Sequence, residues 1–240
     1  MAVGEVAIIG AGMHQWGKFI GKSFVDLGVH AAKEALHDAN VGWEEIEFVS
    51  GANTVRNGYP GWVSGSTFAN ALGFQGCQLA SSYAACASGV TALSIARAQI
   101  LAGICDVALV VGADQVPKGM FAPVPGDRPQ DVDWLRFRLI GLSNPAYFGL
   151  FARRRMALYG DTKKDFAAVK VKNSLHGSKN PNARFTKTFT ESDVEASPVV
   201  ADPLRLLEIC TTSDGGAALV VSSLEYAKKK GITDPVRVSG

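Results

Sequence analysis

The sequence predicts an α/β fold in which a mostly parallel sheet is covered by helices. Strand-like and helix-like stretches alternate through the first half of the 240-residue chain. Residues 105–112 form an apolar run of the kind that is buried on both faces of a sheet. A similar run at residues 217–222 follows a long interruption. This β-α-β-α order is typical of layered α/β domains.

The individual elements are predicted from apolar spacing and from residues that begin or end helices. The strands are expected at residues 6–10, 46–51, 78–83, 105–112 and 217–222, with another starting at 236. The helices between them are expected at residues 24–39, 61–72, 87–102, 203–210 and 223–230. Ser23 is a favourable N-cap for the first of these helices, and Gly231 is a favourable C-cap for the last.

The alternation stops at residue 114. Residues 114–202 hold most of the chain's prolines and two helix-like stretches, at 145–159 and 162–176. Because a structureless loop of this length is implausible in a compact domain, we predict an inserted subdomain that covers a site like a lid. The predicted division is a core at 1–113, the inserted subdomain at 114–202, and a return to the core at 203–240 that completes the sheet.

The composition restricts the possible classes of function. The chain is 47% hydrophobic and 19% charged with a net charge of +2, which gives no reason to expect nucleic-acid binding. The apolar stretch at residues 6–9 is too short for a signal core or a membrane span. The four cysteines contain no Cys-x-x-Cys pair, so no metal site is expected, and free thiols indicate a reducing compartment. We therefore expect a cytoplasmic protein.

Cys86 is the most informative residue for chemistry. It lies between a predicted strand and the predicted helix at 87–102, where the positive end of the helix dipole favours thiolate over thiol. A thiolate is the form that attacks an acyl thioester. The alternative is a buried structural cysteine, since free cysteine is among the most buried residue types.

Several stretches resemble the thiolase superfamily. The turn Tyr83-Ala84-Ala85-Cys86-Ala87-Ser88-Gly89 is similar to the thiolase stretch that contains a nucleophilic cysteine. The stretch Ser213-Asp214-Gly215-Gly216-Ala217-Ala218 is similar to the Ser-Asp-Gly-Ala-Ala signature, and residues 172–185 resemble the sterol-carrier-protein-X branch. Within the superfamily, the chain most resembles the lipid-transfer-protein-type aldolases of bacterial steroid side-chain degradation, at residues 56–61, 81–86, 110–114, 144–148 and 198–204.

The resemblance implies a thiolase-like layered fold, of which this chain is the N-terminal half. It implies an acyl-CoA carbon–carbon lyase that cleaves a bulky β-hydroxyacyl-CoA by a retro-aldol step, giving a ketone and a short acyl-CoA such as propionyl-CoA. Coenzyme A enters as part of the substrate, and no covalently bound cofactor is implied. The implied partners are a second copy of the chain, paired through residues 77–84, and a DUF35 protein with an OB fold and a zinc ribbon.

Two departures from the family pattern bear on the mechanism. The asparagines that usually precede the thiolase cysteine are Ala84 and Ala85 here, which reduces polar support around Cys86. The family's second half, which supplies a catalytic histidine, is expected beyond Gly240 together with the base. The reduced polar support favours the aldolase over a thiolase-type acyltransferase, which would cleave a 3-ketoacyl-CoA through Cys86. A third hypothesis is a non-catalytic subunit that completes the dimer of another chain.

Five residues are candidates for the site. Cys86 occupies the position of the thiolase nucleophile, and its role in an aldolase is left open by the sequence. The residues expected to contact the substrate are Tyr83, Met120, Phe148 and His176. Tyr83 adjoins the Cys86 turn, Met120 and Phe148 supply apolar surface in the insertion, and His176 matches the branch motif. Ordinary packing is the alternative for Tyr83 and Met120.

Overall fold

The computed structural model describes residues 5–54, 63–73, 75–116, 130–132, 134, 135, 139, 141 and 143–239. Met120, which the sequence predicts to contact the substrate, lies outside these residues. The chain divides into two compact units. The first unit comprises Met1–Val116 and Ser213–Gly240, and the second comprises Pro117–Thr212.

In the described residues, strands and helices alternate as far as the fourth strand; three helices and then three strands follow before the last helix and strand. The strands are β1 (Val6–Gly17), β2 (Phe48–Ala52), β3 (Gln78–Ser82), β4 (Val107–Asp114), β5 (Val199–Ala201), β6 (Leu204–Arg205), β7 (Asp214–Ser223) and β8 (Val236–Val238). The α-helices are α1 (Phe24–Ala39), α2 (Ser64–Gly73), α3 (Ser88–Leu101), α4 (Asn144–Tyr159), α5 (Lys163–Gly177), α6 (Glu191–Ala196) and α7 (Leu224–Lys229). The first strand extends beyond its predicted end because its second part also pairs with β7.

The sheet of the first unit is mixed, with the strand order β3-β2-β4-β7-β1-β8. Strand β2 runs parallel to β3 and β4, whereas β7 runs antiparallel to both β4 and β1. The expectation of a mostly parallel sheet is therefore wrong. After the insertion, the chain re-enters the sheet beside the end of β4, where Asp114 pairs with Gly215. Strand β7 then runs back along β4 and is therefore antiparallel to it.

Each face of this sheet has its own apolar core. On one face, α1 and α2 cover a cluster that includes the fully buried Leu27, Phe68 and Val220. On the other face, α3 contributes Ala92 and Ala96 to a second buried cluster. Helices on both faces of one sheet confirm the predicted α/β class.

Helix α1 begins at Ser23, as predicted. The Ser23 hydroxyl accepts a hydrogen bond from the amide of Asp26 (3.2 Å), and the Asp26 carboxylate accepts one from the amide of Ser23 (2.7 Å). The bond from the Ser23 backbone is the main reason that the pKa of Asp26 lies below its usual value. The helix ends at Asn40, whose left-handed backbone (φ 51°) stops the helical path.

The second unit is mainly helical in its described residues. Helices α4 and α5 correspond to the two stretches predicted at 145–159 and 162–176. No helix in the described part of the chain has the length and the apolarity that a membrane crossing requires.

The helix predicted at residues 203–210 is wrong. Strand β6 pairs with β5 there, and residues 206–208 form a short 3-10 turn. The amide of Leu206 donates to the carbonyl of Pro198 (2.8 Å), and the amide of Arg205 donates to the Glu208 carboxylate (2.7 Å). These bonds satisfy backbone polar groups in a hairpin instead of a helix. The segment belongs to the second unit.

Candidate active site

Polar residues lie together at the carboxyl ends of strands β2, β3 and β4, which form one edge of the sheet. These strands are parallel, so their carboxyl ends meet at one edge, which is the edge where α/β sheets bind ligands. Asn53 follows β2, Tyr83 follows β3, and Asp114 is the last residue of β4. Cys86 lies in the turn that follows β3, which places the candidate site at this edge.

The turn between β3 and α3 presents Cys86 at the surface. The strand ends at Ser82 and the helix begins at Ser88, in agreement with the predicted strand–turn–helix pattern. Cys86 is exposed and has a free thiol, so the alternative of a buried structural cysteine is wrong. Tyr83, in the same turn, is 44% exposed. Both residues are therefore accessible to a ligand.

The other cysteines of the first unit are poor candidates for chemistry. Cys105 is buried, and its desolvation, together with the charges of Glu47 and Asp106, raises the pKa of its thiol to about 11. Burial also raises the pKa of Cys77. Both groups stay as thiols at neutral pH, and a thiol is a weak nucleophile.

A left-handed backbone at Ala85 makes the Cys86 turn sharp. Its φ of 47° is uncommon for a residue that has a Cβ atom. Two backbone hydrogen bonds close the turn, from the amide of Ala87 to the carbonyl of Ala84 (2.9 Å) and from the amide of Ser88 to the carbonyl of Ala85 (3.1 Å). Ala87 is the N-cap of α3 and makes no side-chain cap. The positive end of the helix dipole therefore lies next to Cys86 without a capping side chain.

Asn53 and Asp114 tie the ends of β2 and β4 together. The Asn53 side chain donates to the carbonyl of Ala113 (2.8 Å) and to the Asp114 carboxylate (3.0 Å), which also accepts from the amide of Thr54 (2.8 Å). Asn53 is 2% exposed, and within the described residues its Oδ1 has no hydrogen-bond partner. Because a buried acceptor without a donor is costly, this oxygen is ready to accept a bond from a group that enters the site.

A cavity of about 410 Å³ opens beside Asn53. Its walls come from β1, β2, β4, β7 and the first two turns of α3, and include Trp16, Asn53, Ser88, Gly89, Val90 and Leu219. The lining is mainly apolar with a few polar groups, as in many small-molecule sites. Cys86 is not one of the lining residues, so the cavity and the thiol are separate features of the same sheet edge.

Asp214 joins the segments around the start of β7. Its carboxylate accepts from the amides of Phe19 (3.0 Å) and Val116 (2.9 Å) and from the ammonium of Lys18 (3.0 Å). Burial by itself raises the pKa of this carboxyl, but the three donors outweigh that effect and hold the pKa below its usual value. Asp214 therefore remains ionised and stabilises the junction, which is a structural role.

The remaining predicted site residues lie in the second unit. Phe148 on α4 is 58% exposed, and its ring centroid lies 6.2 Å from that of Tyr147 and 6.1 Å from that of Phe151. His176 is exposed in the last turn of α5. The three rings on α4 form an exposed aromatic cluster, defined here as Tyr147, Phe148 and Phe151.

The supporting residues Asn53, Thr54 and Ser88 are not among the site residues predicted from the sequence. The signal was available for the first two, because a polar residue directly after a buried strand of a parallel sheet lies at the ligand-binding edge. Ser88 gave no such signal, since a serine in the first turn of a helix is ordinary. Its contacts become apparent only from the geometry of the turn.

Comparison with known proteins assigns the fold and the Cys86 turn to a family. The family model described as the N-terminal domain of thiolase matches residues 6–225. The chain is 33% identical over 238 residues to benzoylsuccinyl-CoA thiolase subunit BbsB of Thauera aromatica, and 30% identical over 244 residues to sterol carrier protein 2 of Homo sapiens. Among solved structures, the Ltp2-ChsH2(DUF35) aldolase is similar, with a TM-score of 0.77 and 28% identity.

The chain belongs to the thiolase family, because the family model covers nearly all of it. The predicted layered fold and the resemblance to the sterol-carrier-protein branch are confirmed. The match with BbsB covers 98% of this chain and 60% of the relative, and that with human sterol carrier protein 2 covers 95% and 43%. The match with the aldolase covers 95% of this chain and 58% of that chain. The chain thus spans about half the length of these relatives.

Proposed function

We propose that this protein is an acyl-CoA carbon–carbon lyase that cleaves a bulky β-hydroxyacyl-CoA of the steroid side-chain type by a retro-aldol step. A base removes the proton from the β-hydroxyl oxygen, and the new carbonyl expels the α-carbon as the enolate of the thioester. The Cα–Cβ bond breaks, a ketone leaves, and a proton returns to the α-carbon. The products are the ketone and a short acyl-CoA such as propionyl-CoA, with no net change of oxidation state.

The observation that supports this reaction best is the apolar composition of the Cys86 turn. Ala84, Ala85 and Ala87 flank Cys86 with side chains that neither donate nor accept hydrogen bonds, and the Cys86 thiol is free and exposed. Thiolysis needs an activated thiolate with a base and polar support. Retro-aldol cleavage needs a base only at the substrate hydroxyl. In this proposal Cys86 lines the site and does not take up the acyl group.

Helix α3 supplies a fixed positive potential for the enolate. Its 14 residues align their peptide dipoles, and Ala87 leaves the first amides without a side-chain cap. Negative charge develops on the thioester oxygen as the Cα–Cβ bond breaks. A preorganised positive end at this oxygen stabilises the transition state more than the ground state.

The proposed substrate has two parts with different chemistry. Coenzyme A forms the thioester of the substrate and enters with it, so no covalently bound cofactor takes part. The aromatic cluster of α4 presents an apolar surface to which a flat, polycyclic acyl group can bind. We assign substrate contacts to Tyr83, Phe148 and His176 because their side chains are exposed.

The free thiols of the chain agree with a cytoplasmic location.

A second candidate function is thiolase-type acyl transfer through Cys86. The exposed thiol beside the α3 N-terminus favours it, and so does the similarity to a relative named as a thiolase subunit. The two reactions differ in what they demand of Cys86, which makes this residue the point of discrimination.

Substitution of Cys86 by alanine separates the two functions. In the native enzyme with its DUF35 partner, we expect Cys86→Ala to keep turnover of the β-hydroxyacyl-CoA within about a hundredfold of wild type, whereas loss of a true nucleophile costs on the order of 10⁴-fold or more. Steady-state release of the short acyl-CoA gives the rate. Cys210→Ala, which removes the exposed thiol of the second unit, is the matched control and should be neutral. If the wild type instead cleaves a 3-ketoacyl-CoA with uptake of coenzyme A and Cys86→Ala abolishes that cleavage, acyl transfer is favoured.

We also propose that the enzyme is a homodimer that pairs through β3. This strand lies at one of the two edges of the sheet and contains no charged residue, and an unprotected edge strand is a template for pairing with another chain. We expect sedimentation of the native enzyme at micromolar concentration to give a dimer, and its complex with a DUF35 protein to keep two copies of this chain. A stable monomer under these conditions contradicts the pairing.

A further inference from the structure

We infer that Ser88 is a positioning residue, whose buried hydroxyl holds the Cys86 turn in its left-handed conformation. This inference rests on the proposed function only for its turnover measurement. Ser88 is the first residue of α3 and is 2% exposed. Its side chain points back to the turn that precedes the helix, where its partners are two backbone groups of that turn.

The hydroxyl of Ser88 has three hydrogen-bond partners, two of them in the turn. It accepts a hydrogen bond from the amide of Ala84 (2.8 Å) and donates to the carbonyl of Ala85 (2.7 Å), with the carbonyl of Asn53 as a further acceptor at 3.2 Å. The two bonded turn residues are the two that precede Cys86. One side chain thus fixes the backbone on the N-terminal side of the thiol and connects it to the end of β2.

The left-handed backbone of Ala85 requires the hydrogen bonds that Ser88 makes to the turn. Its φ of 47° is unfavourable for an L-residue with a Cβ atom, so the turn relaxes unless its surroundings hold it. Ser88 bonds the groups on both sides of this residue's N–Cα bond, namely the Ala84 amide and the Ala85 carbonyl. Loss of the hydroxyl frees the turn to leave the left-handed region, which moves Cys86 and the substrate contact at Tyr83 relative to α3.

The test compares Ser88→Ala with Ser82→Ala in the native enzyme. Ser82 is a matched control because it is also buried and also bonds in this region, donating to the carbonyls of Ser88 (2.9 Å) and Gly51 (3.3 Å), but it makes no bond to Ala84 or Ala85. We expect Ser88→Ala to lower kcat by about tenfold, because the turn with the site-lining Cys86 shifts relative to the α3 N-terminus, which the proposal places at the enolate. We expect Ser82→Ala to change kcat by less than about threefold. Equal losses in the two variants would overturn the inference.

Variants of Ala85 test the same claim without touching Ser88. Glycine adopts a positive φ without penalty, so Ala85→Gly should keep wild-type kcat and should restore most of the activity of Ser88→Ala in the double variant. A β-branched residue cannot hold this φ, so Ala85→Val should reproduce the kcat loss while Ser88 is present. Absence of rescue by glycine, or a fully active Ala85→Val, contradicts the inference even if Ser88→Ala fails to fold.

Amide exchange gives a measurement that is independent of the reaction catalysed. Because the Ala84 amide donates to Ser88, its hydrogen exchange should accelerate about fivefold or more in Ser88→Ala and stay unchanged in Ser82→Ala. Unchanged Ala84 exchange in Ser88→Ala would overturn the inference. If exchange accelerates as expected but the enzyme performs thiolysis, the positioning role stands and only the proposed function fails.

Discussion

Replacement of Asp214 by alanine is expected to lower the free energy of unfolding by about 3 kcal/mol, because two backbone amides lose a buried acceptor and the partly exposed Lys18 loses its partner. The carboxylate is 3% exposed and accepts from the amides of Phe19 and Val116 and from Lys18. Without it, the two amides lose their acceptor next to a buried position, whereas the Lys18 side chain, 39% exposed, can bind water instead. Urea unfolding with an unchanged m-value measures the loss.

The same carboxylate makes stability depend on pH with a defined sign. Its pKa is lower in the folded state than in the unfolded chain. The stabilisation is therefore complete above the unfolded pKa of about 3.9 and disappears as the pH falls through the folded pKa. Asp38→Ala is the control, because the exposed Asp38 carboxylate accepts a single bond from the amide of Ala11 (2.9 Å), and we expect it to cost only about 1 kcal/mol. Equal losses in the two variants contradict this account of Asp214.

A methyl group at Gly12 is expected to destabilise the first unit by at least about 2 kcal/mol. Gly12 lies in β1 where α1 crosses the strand, and a Cβ atom there would overlap the carbonyl oxygen of Ala31 and the amide nitrogen of Ala35. Both atoms belong to the backbone of α1, so the helix itself must move. The same loss should appear as a lower midpoint of thermal unfolding in Gly12→Ala.

Gly89 provides the matched control for this substitution. A Cβ atom at Gly89 would meet no atom within 4 Å, and alanine is favoured over glycine within a helix. We therefore expect Gly89→Ala to leave the unfolding midpoint unchanged or slightly higher. If Gly12→Ala also leaves the unfolding midpoint unchanged, the close packing of α1 against β1 is contradicted.

The sequence predicted the elements of the first unit well because their signals are local. Apolar runs, the Ser23 cap and the small residues around Cys86 each determine the backbone over a few residues. The direction of β7 was wrong because strand direction depends on where the chain returns after a segment of nearly 100 residues, which apolar spacing does not encode. The helix predicted at 203–210 is instead strand β6 followed by a 3-10 turn, because Leu204 and Leu206 fit either periodicity over so short a run.

The candidate site could be predicted only in part. Cys86 was identified because a cysteine between a strand and a helix has a chemical meaning by itself. Asn53 acts through a hydrogen bond to a backbone group far from it in sequence, the carbonyl of Ala113. Ser88 bonds within its own turn and also reaches the distant carbonyl of Asn53. Such contacts arise from the packing of β2, β4 and α3, and no residue pattern in one segment specifies them.

The central claim, that the carbon–carbon bond is cleaved without acyl transfer to Cys86, is tested most directly by the mass of the Cys86 peptide during turnover. The native enzyme with its DUF35 partner is given the β-hydroxyacyl-CoA, quenched in acid within the steady state, digested and analysed by mass spectrometry. The retro-aldol reaction predicts an unmodified Cys86 peptide, a ketone and one short acyl-CoA for each substrate consumed, with no uptake of free coenzyme A. A parallel sample is given a 3-ketoacyl-CoA and free coenzyme A, the substrates of thiolysis. Cleavage of this substrate instead, through an acyl adduct on Cys86 that forms and decays at the rate of turnover and with consumption of coenzyme A, would contradict the claim and identify the enzyme as an acyltransferase.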